Sequence, residues 1–171
     1  MGAARAADLA CRGSFIEAEE LLPRRRTSDA DTWVRAYIAA ARGRFTLALR
    51  LAASVSDSKE RSVRVAAALT TGSALRQLGR HRAAQSHDRR ALRMARTDAE
   101  RAHALIGLAA DAIGTGRAAL CRRRLAEAAA VAPKRDWRVQ IRLDWVRTEH
   151  ALALGRPSAA TRPARRSGTR P

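Results

Sequence analysis

Arginine is the residue type whose number and spacing in this chain could do chemistry. The 171 residues include 34 Lys and Arg against 16 Asp and Glu, for a formal net charge of +18. All of the basic residues except Lys59 and Lys134 are arginine. Guanidinium groups bind carboxylates and phosphates through paired hydrogen bonds. The surplus therefore predicts attraction to polyanions, namely acidic proteins, nucleic acid or an anionic membrane surface.

One group of arginines falls on a single face of a helix that we predict over 80–95. Its members, which we call the outer stripe, are Arg82, Arg89, Arg93 and Arg96. Their spacing of seven, four and three residues keeps them within one narrow sector of an α-helix. The stripe is either a binding site for phosphates or carboxylates, or simply the solvated face of an arginine-rich helix.

A second group combines arginine with aromatic side chains at helical spacing. Its members are Trp33, Tyr37, Arg76, Arg138, Arg142 and Trp145. Tryptophan, tyrosine and arginine are the residues that interaction hot spots use most. The two tryptophans also fit large anchors of a hydrophobic core, and for them we favour the core interpretation. Tyr37 and Arg142 are the better candidates for contact with a partner.

Catalytic, metal and cofactor sites find little support in the residue pattern. The histidines occur singly, without the i, i+4 pairing of helical metal sites. Cys11 and Cys121 lack the CxxC spacing of metal or redox sites. The stretch GTGRAA at 114–119 matches a dinucleotide-binding motif, but it follows a predicted helix where that motif needs a strand. We expect an interhelical turn there and a protein that is not an enzyme and needs no cofactor.

The elements that must position these side chains are indicated by five glycines in one register. They are Gly13, Gly43, Gly79, Gly116 and Gly155, separated by 30 to 39 residues. A small residue stands five positions after each glycine, and an apolar residue stands ten positions before it. Glycine adopts the left-handed conformation that ends a helix, and a small side chain lets the next helix approach closely. The register predicts a repeated helical hairpin.

Apolar periodicity and capping residues then place the helices. Ser14 with Glu17, Asp57 with Glu60, and Thr97 with Glu100 fit capping boxes, and Ser28 precedes another helix start. Strand-favouring residues are scattered, so we predict an all-α protein. The expected helices lie near 3–12, 14–23, 29–42, 44–55, 58–78, 80–95, 98–113, 117–131 and 135–154.

The segment GSALRQLGRHRAAQSHDRRALRMA at 72–95 resembles a tetratricopeptide repeat (TPR), and GRAALCRRRLAEAAAVAP at 116–133 resembles the second half of another. The positions that carry the resemblance are Gly72, Leu75, Gly79, Ala84 and Ala91 in the first segment, and Leu125, Ala128 and Pro133 in the second. Asp88 departs from the motif, which prefers an aromatic residue there. The resemblance implies a right-handed α-solenoid of stacked antiparallel hairpins, about nine helices over 1–155. It also implies that the first helices line an inner groove with the aromatic and arginine group, and that the outer stripe lies on the convex side.

The resemblance implies a binding scaffold, and the charge implies that the partner is an acidic protein segment. Two alternatives stay open. The arginines could track the phosphates of nucleic acid without sequence preference, or the repeats could act in trans as a regulatory module like those of large bacterial transcriptional regulators. We expect a cytoplasmic protein without a membrane span, with a disordered basic tail over 156–171.

Overall fold

The computed structural model describes residues 2–24 and 28–159, and all of their regular structure is helical. The elements are α1 (Gly2–Cys11), α2 (Phe15–Glu20), α3 (Asp29–Ala41), α4 (Phe45–Ala53), α5 (Arg61–Gln77), α6 (His81–Met94), α7 (Asp98–Gly114), α8 (Ala118–Val131) and α9 (Trp137–Ala153). A short helical segment at 157–159 follows α9. The predicted all-α class is confirmed. The predicted disorder of the basic tail concerns mainly residues 160–171, which lie outside the described residues.

Each of the five register glycines has a left-handed backbone, with φ between +66° and +88°. The residue that follows each glycine donates its amide hydrogen to the carbonyl oxygen five residues earlier, as Arg80 does to Leu75 at 2.9 Å and Arg117 to Ala112 at 2.7 Å. This bond is the signature of a Schellman motif, which satisfies carbonyls that the helix end leaves free. The glycines therefore end helices and turn the chain, as the register predicted.

The small residue five positions after each glycine is buried wherever the structure describes it. Ala18, Ala48, Ala84 and Cys121 have no exposed surface, while Ala160 lies outside the described residues. A side chain of this size lets the second helix of each hairpin lie directly on the first. The burial of Cys121 also agrees with its interpretation as a packing residue.

The helices follow a regular contact pattern. Each odd-numbered helix packs against the next odd-numbered one, from α1 with α3 to α7 with α9. The main contacts of the even-numbered helices are with helices next to them in the chain. We call the series α1, α3, α5, α7 and α9 the odd-helix row. An ion pair between Asp8 on α1 and Arg138 on α9 joins the two ends of this row.

Helix starts agree with the capping predictions in part. Thr97 and Glu100 form the predicted capping box, and Ser28 accepts a hydrogen bond from the amide of Asp31 at 3.1 Å. Ser14 precedes α2 but makes no side-chain capping bond. The capping box at Asp57 is wrong, because residues 54–57 form a turn and α5 begins three residues later than predicted, at Arg61.

None of the helices in the described part of the chain is long and apolar enough to cross a membrane.

Candidate partner-binding site

Arg142 on α9 makes its side-chain contact with a histidine and not with a carboxylate. Its Nη1 lies 2.9 Å from Nδ1 of His103 on α7. Burial, together with the charges of Arg142 and Arg138, lowers the pKa of His103 to about 3, so the ring is neutral and its Nδ1 accepts the hydrogen bond. No carboxylate oxygen lies within 4.0 Å of Arg142 in residues 2–24 and 28–159. Burial and the nearby charge of Arg76 lower the pKa of Arg142, and the charge of Asp88 only partly opposes them.

Tyr37 on α3 lies beside this arginine. Burial raises the pKa of Tyr37 to about 12, the neighbouring thiol of Cys11 adds to the shift, and the charges of Arg142 and Arg138 oppose it. The phenol therefore stays protonated at neutral pH and keeps a hydrogen that it can donate. Trp33 stands one turn earlier, with its ring centroid 6.4 Å from that of Tyr37.

Arg138 lies one turn before Arg142, where α1 meets α9. Its guanidinium pairs with Asp8, and it stands 5.6 Å from the ring centroid of Trp137. Arg12 approaches the same ring at 5.5 Å and pairs with Asp8 at 3.0 Å. The hydrogen bond from Arg12 is the main reason that the pKa of Asp8 is lowered. Arg138 is thus a half-exposed cation with an acid of its own.

Arg76 has a different place from the one that the sequence suggested. Its Nη1 lies 3.0 Å from Asp88 on α6 and 2.5 Å from Asp111 on α7, and it donates to the carbonyl of Gly107 at 3.1 Å. Its side chain is mostly buried. Two acids of the chain itself neutralise Arg76, so we leave it out of the proposed interface.

Asp88 occupies a notch between two glycines of the odd-helix row. A Cβ atom at Gly72 would stand 2.7 Å from Asp88 Oδ1, and one at Gly107 would be closer still to Oδ2. Burial raises the pKa of Asp88 to about 6 against the opposing charge of Arg76. The carboxylate of Asp88 therefore fits between α5 and α7 only because both contact positions are glycine.

The two tryptophans of the register have different environments. Trp33 packs against two clusters of the core, and its Nε1 donates to Thr70 Oγ1 at 3.1 Å. The core interpretation is confirmed for Trp33. It is wrong for Trp145, which is 59% exposed. The corresponding residues of the two intervening repeats, Leu69 and Ile106, each lie in a cluster with residues of the next odd-numbered helix. Trp145 is exposed because, among the described residues, no such helix follows α9.

One side of α9 collects the partner-binding candidates. The residues Arg138, Arg142, Trp145, Glu149 and Leu152 follow one another at intervals of four, three, four and three, and we call them the α9 face. At 100° per residue this spacing keeps all five within a narrow sector of the helix. The N-terminal half of the face is cationic and meets Tyr37 and His103, while its C-terminal half exposes two large apolar side chains and one acid, Glu149.

The outer stripe is solvated as a whole. Its four arginines are all exposed, but only Arg82, Arg89 and Arg93 lie on α6. The prediction that Arg96 continues this helix face is wrong, because α6 ends at Met94 and the backbone of Ala95 is extended. The side chain of Arg89 bonds to Gln85 at 3.3 Å, and no stripe side chain pairs with a carboxylate of the described residues. Neighbouring Arg90 is not part of the stripe and donates to the carbonyl of Ser56 at 3.0 Å.

Sequence analysis did not single out His103, Asp8 or Trp137 as parts of a site. For His103 a signal existed, because His103 and Arg142 both stand thirteen positions before their turn glycines, Gly116 and Gly155. Equal positions on adjacent helices of a repeat array are neighbours in space. No local signal pairs Asp8 with Arg138 or Trp137, since Asp8 and Arg138 are 130 residues apart in the chain.

No family model, curated protein or solved structure matches this chain. The resemblance to TPR repeats therefore stays a prediction from the sequence.

The structure does bear on the dinucleotide-binding pattern at 114–119, because α7 precedes it and Gly116 forms an interhelical turn. A motif that requires a strand to aim a helix at phosphate does not have that strand here.

Proposed function

We propose that this protein is a non-enzymatic scaffold, a right-handed α-solenoid of TPR-like hairpins that binds an acidic segment of a protein partner. The observation that carries the proposal is that Arg142 has no carboxylate within ion-pair distance among the described residues. Arg76 and Arg138 have carboxylates of this chain as partners, whereas Arg142 is bonded to the neutral ring of His103. A sheltered cation is stabilised by a counter-charge, and a carboxylate of a partner would supply it.

The helix contacts support a solenoid. In repeat scaffolds each hairpin packs mainly on its neighbours, and one helix of every pair lines a continuous concave surface. The odd-helix row has that pattern, and its members bring Tyr37, His103 and Arg142 together from three different hairpins. Groups held by separate rigid helices are pre-organised, so a bound segment need not order them.

The chemistry of recognition follows from the donors present. The guanidinium of Arg142 can donate two parallel hydrogen bonds to a carboxylate. The protonated phenol of Tyr37 adds a neutral donor, and exposed Trp145 adds an aromatic surface of the kind that interfaces bury. These groups bind and orient a ligand, and we assign them no role in bond making or breaking.

A labelled polyglutamate peptide tests the proposal by fluorescence anisotropy at low salt. The substitution Arg142→Gln should weaken binding by about tenfold or more, equivalent to about 1.4 kcal/mol. The matched control is Arg93→Gln, which removes one charge from the outer stripe and should leave the affinity within about twofold. Equal binding by wild type and Arg142→Gln would refute the proposed site, provided that circular dichroism shows both to be folded.

A second candidate function is non-specific nucleic-acid binding by the outer stripe, favoured by its four exposed arginines that no described carboxylate neutralises. Four phosphate contacts predict a loss of affinity of roughly a hundredfold between about 50 and 200 mM salt. Gel mobility shift with generic duplex DNA tests this. Arg89→Gln with Arg93→Gln should weaken the shift and Arg142→Gln should not. The absence of any shift at low salt would exclude this function.

A further inference from the structure

The exposed half of the α9 face is an apolar surface without a partner in the described part of the chain. Trp145 is 59% exposed and Leu152 is 55% exposed, and both lie on the side of α9 that also carries Arg142. Isolated exposed apolar residues are common on protein surfaces, but large ones on the same helix face as a binding site indicate an interaction. The position of Trp145 in the repeat adds to this indication.

At three of the four earlier hairpins the residue equivalent to Trp145 lies in a core cluster. Trp33 packs in one cluster with Val63 and Ala67 of α5, Leu69 in one with Ala104 of α7, and Ile106 in one with Val139 and Leu143 of α9. Thus, within the described residues, the next odd-numbered helix covers this position on α3, α5 and α7, and no such helix follows α9. The surface around Trp145 continues an interior packing surface, which explains why it is apolar.

The two ends of this surface on the α9 face carry opposite charges. Arg142 stands on the N-terminal side of Trp145 and lacks a carboxylate, as described above. Glu149 stands between Trp145 and Leu152 and is exposed. An acidic group of a ligand is attracted to the Arg142 end and repelled at the Glu149 end. A ligand that satisfies the whole face therefore has an acid at one end and apolar side chains along the rest.

We propose that the partner segment is amphipathic, with an acidic residue on Arg142 followed by large apolar side chains on Trp145 and Leu152. This inference rests on the proposed function and adds the chemistry of the partner. Along the helix axis Trp145 lies about 4.5 Å and Leu152 about 15 Å from Arg142, at 1.5 Å per residue. An extended chain rises about 3.3 Å per residue and points alternate side chains the same way. An extended ligand would therefore carry the acid at one position and apolar residues two and four positions away.

Three labelled pentapeptides with blocked ends test the inference by fluorescence anisotropy, each made in both chain directions. The first is Glu-Ser-Leu-Ser-Leu, the second keeps only the acid as Glu-Ser-Ser-Ser-Ser, and the third keeps only the apolar residues as Gln-Ser-Leu-Ser-Leu. In one direction the first peptide should bind at least tenfold more tightly than either of the others. Trp145→Ala should abolish its advantage over the acid-only peptide, and Arg142→Gln its advantage over the apolar-only peptide. The control Ile16→Ala removes an exposed apolar side chain on α2 and should change neither.

The outcomes separate this inference from the proposed function. If the acid-only peptide binds as well as the first, or if Trp145→Ala has no effect, the inference is overturned while acidic-segment binding stands. If neither acid-bearing peptide nor polyglutamate binds, the proposed function itself fails. Sedimentation velocity over a concentration series tests whether a second copy of this chain binds the face instead. A dimer that Trp145→Ala dissociates would show that a second copy covers this face, and would also overturn the inference.

Discussion

Asp8 and Arg138, 130 residues apart in the chain, form an ion pair that joins the first helix of the odd-helix row to the last. The pair lies beside the ring of Trp137 and one helical turn from Arg142. The α1–α9 contact therefore borders the cationic half of the α9 face. Any motion that opens the row must separate these two residues.

The substitution Asp8→Asn should loosen this contact with little loss of global stability. Both side chains are more than one third exposed, and exposed ion pairs contribute about 0–1 kcal/mol. We therefore expect a small fall in the free energy of unfolding but faster amide hydrogen exchange in α1. Asp98→Asn, which breaks an exposed pair with Arg101 within α7, is the control. Unchanged exchange in α1 would mean that the pair does not hold the row together.

The buried carboxylate of Asp88 should make stability fall as the pH rises. Its pKa of about 6 in the folded state exceeds the value of about 4 in an unfolded chain, so folding binds a proton. The stabilisation is complete below about pH 4 and is lost as the pH rises through about 6, on the order of 1–3 kcal/mol. Asp88→Asn mimics the protonated carboxyl and should remove this part of the pH dependence in urea titrations.

Comparison of each variant with wild type at every pH cancels the contributions of other titrating groups. Asp57→Asn is the control, because Asp57 is 92% exposed on its side chain. Parallel stability curves for wild type and Asp88→Asn between about pH 4 and pH 7 would show that Asp88 is not protonated in the folded state.

The substitution Gly107→Ala should be destabilising although alanine favours helix more than glycine. The new Cβ would overlap the carboxylate of Asp88, and overpacking of this kind costs about 1–3 kcal/mol. In an Asp88→Ala background the overlap disappears, so the same change should become neutral or stabilising. A double-mutant cycle in urea measures this coupling. Additive effects of the two substitutions would contradict the close contact between Gly107 and the carboxylate of Asp88.

The close approach of α5 and α6 can be tested at Ala84. Ala84 is fully buried between the two helices, while Ala83 beside it is exposed. Ala84→Leu should cost on the order of 1–3 kcal/mol by overpacking, and Ala83→Leu should change stability by no more than about 0.5 kcal/mol. Thermal unfolding of the two variants gives the comparison. Equal melting temperatures would mean that the small residue is not required at that position.

Sequence reasoning succeeded where the identity of a single residue limits the backbone. The left-handed turns at the five glycines, the buried small residue after each turn and the capping box at Thr97 follow from local sterics and hydrogen bonding. The capping box at Asp57 failed for a related reason. The same residue type also favours turns, and the chain keeps a turn through 57 before α5 begins.

The candidate site could be predicted only in part. Helical spacing correctly grouped Arg138, Arg142 and Trp145 on one side of a helix. It did not reveal that Asp88 and Asp111 would neutralise Arg76, because those acids come from two other helices. The exposure of Trp145 likewise depends on whether a further helix covers α9. The apolar periodicity of the α9 sequence does not indicate this.

The sequence by itself determined the all-α class, the positions of the turns and the faces on which the arginines lie, because these depend on residues a few positions apart. Only the tertiary structure decided which arginines have a carboxylate partner and that α1 contacts α9. Those outcomes depend on contacts between helices that are far apart in the chain. Asp8 pairs with Arg138 across 130 residues, and Arg142 meets His103 of α7 across 39 residues, because the packing of the helices brings them together.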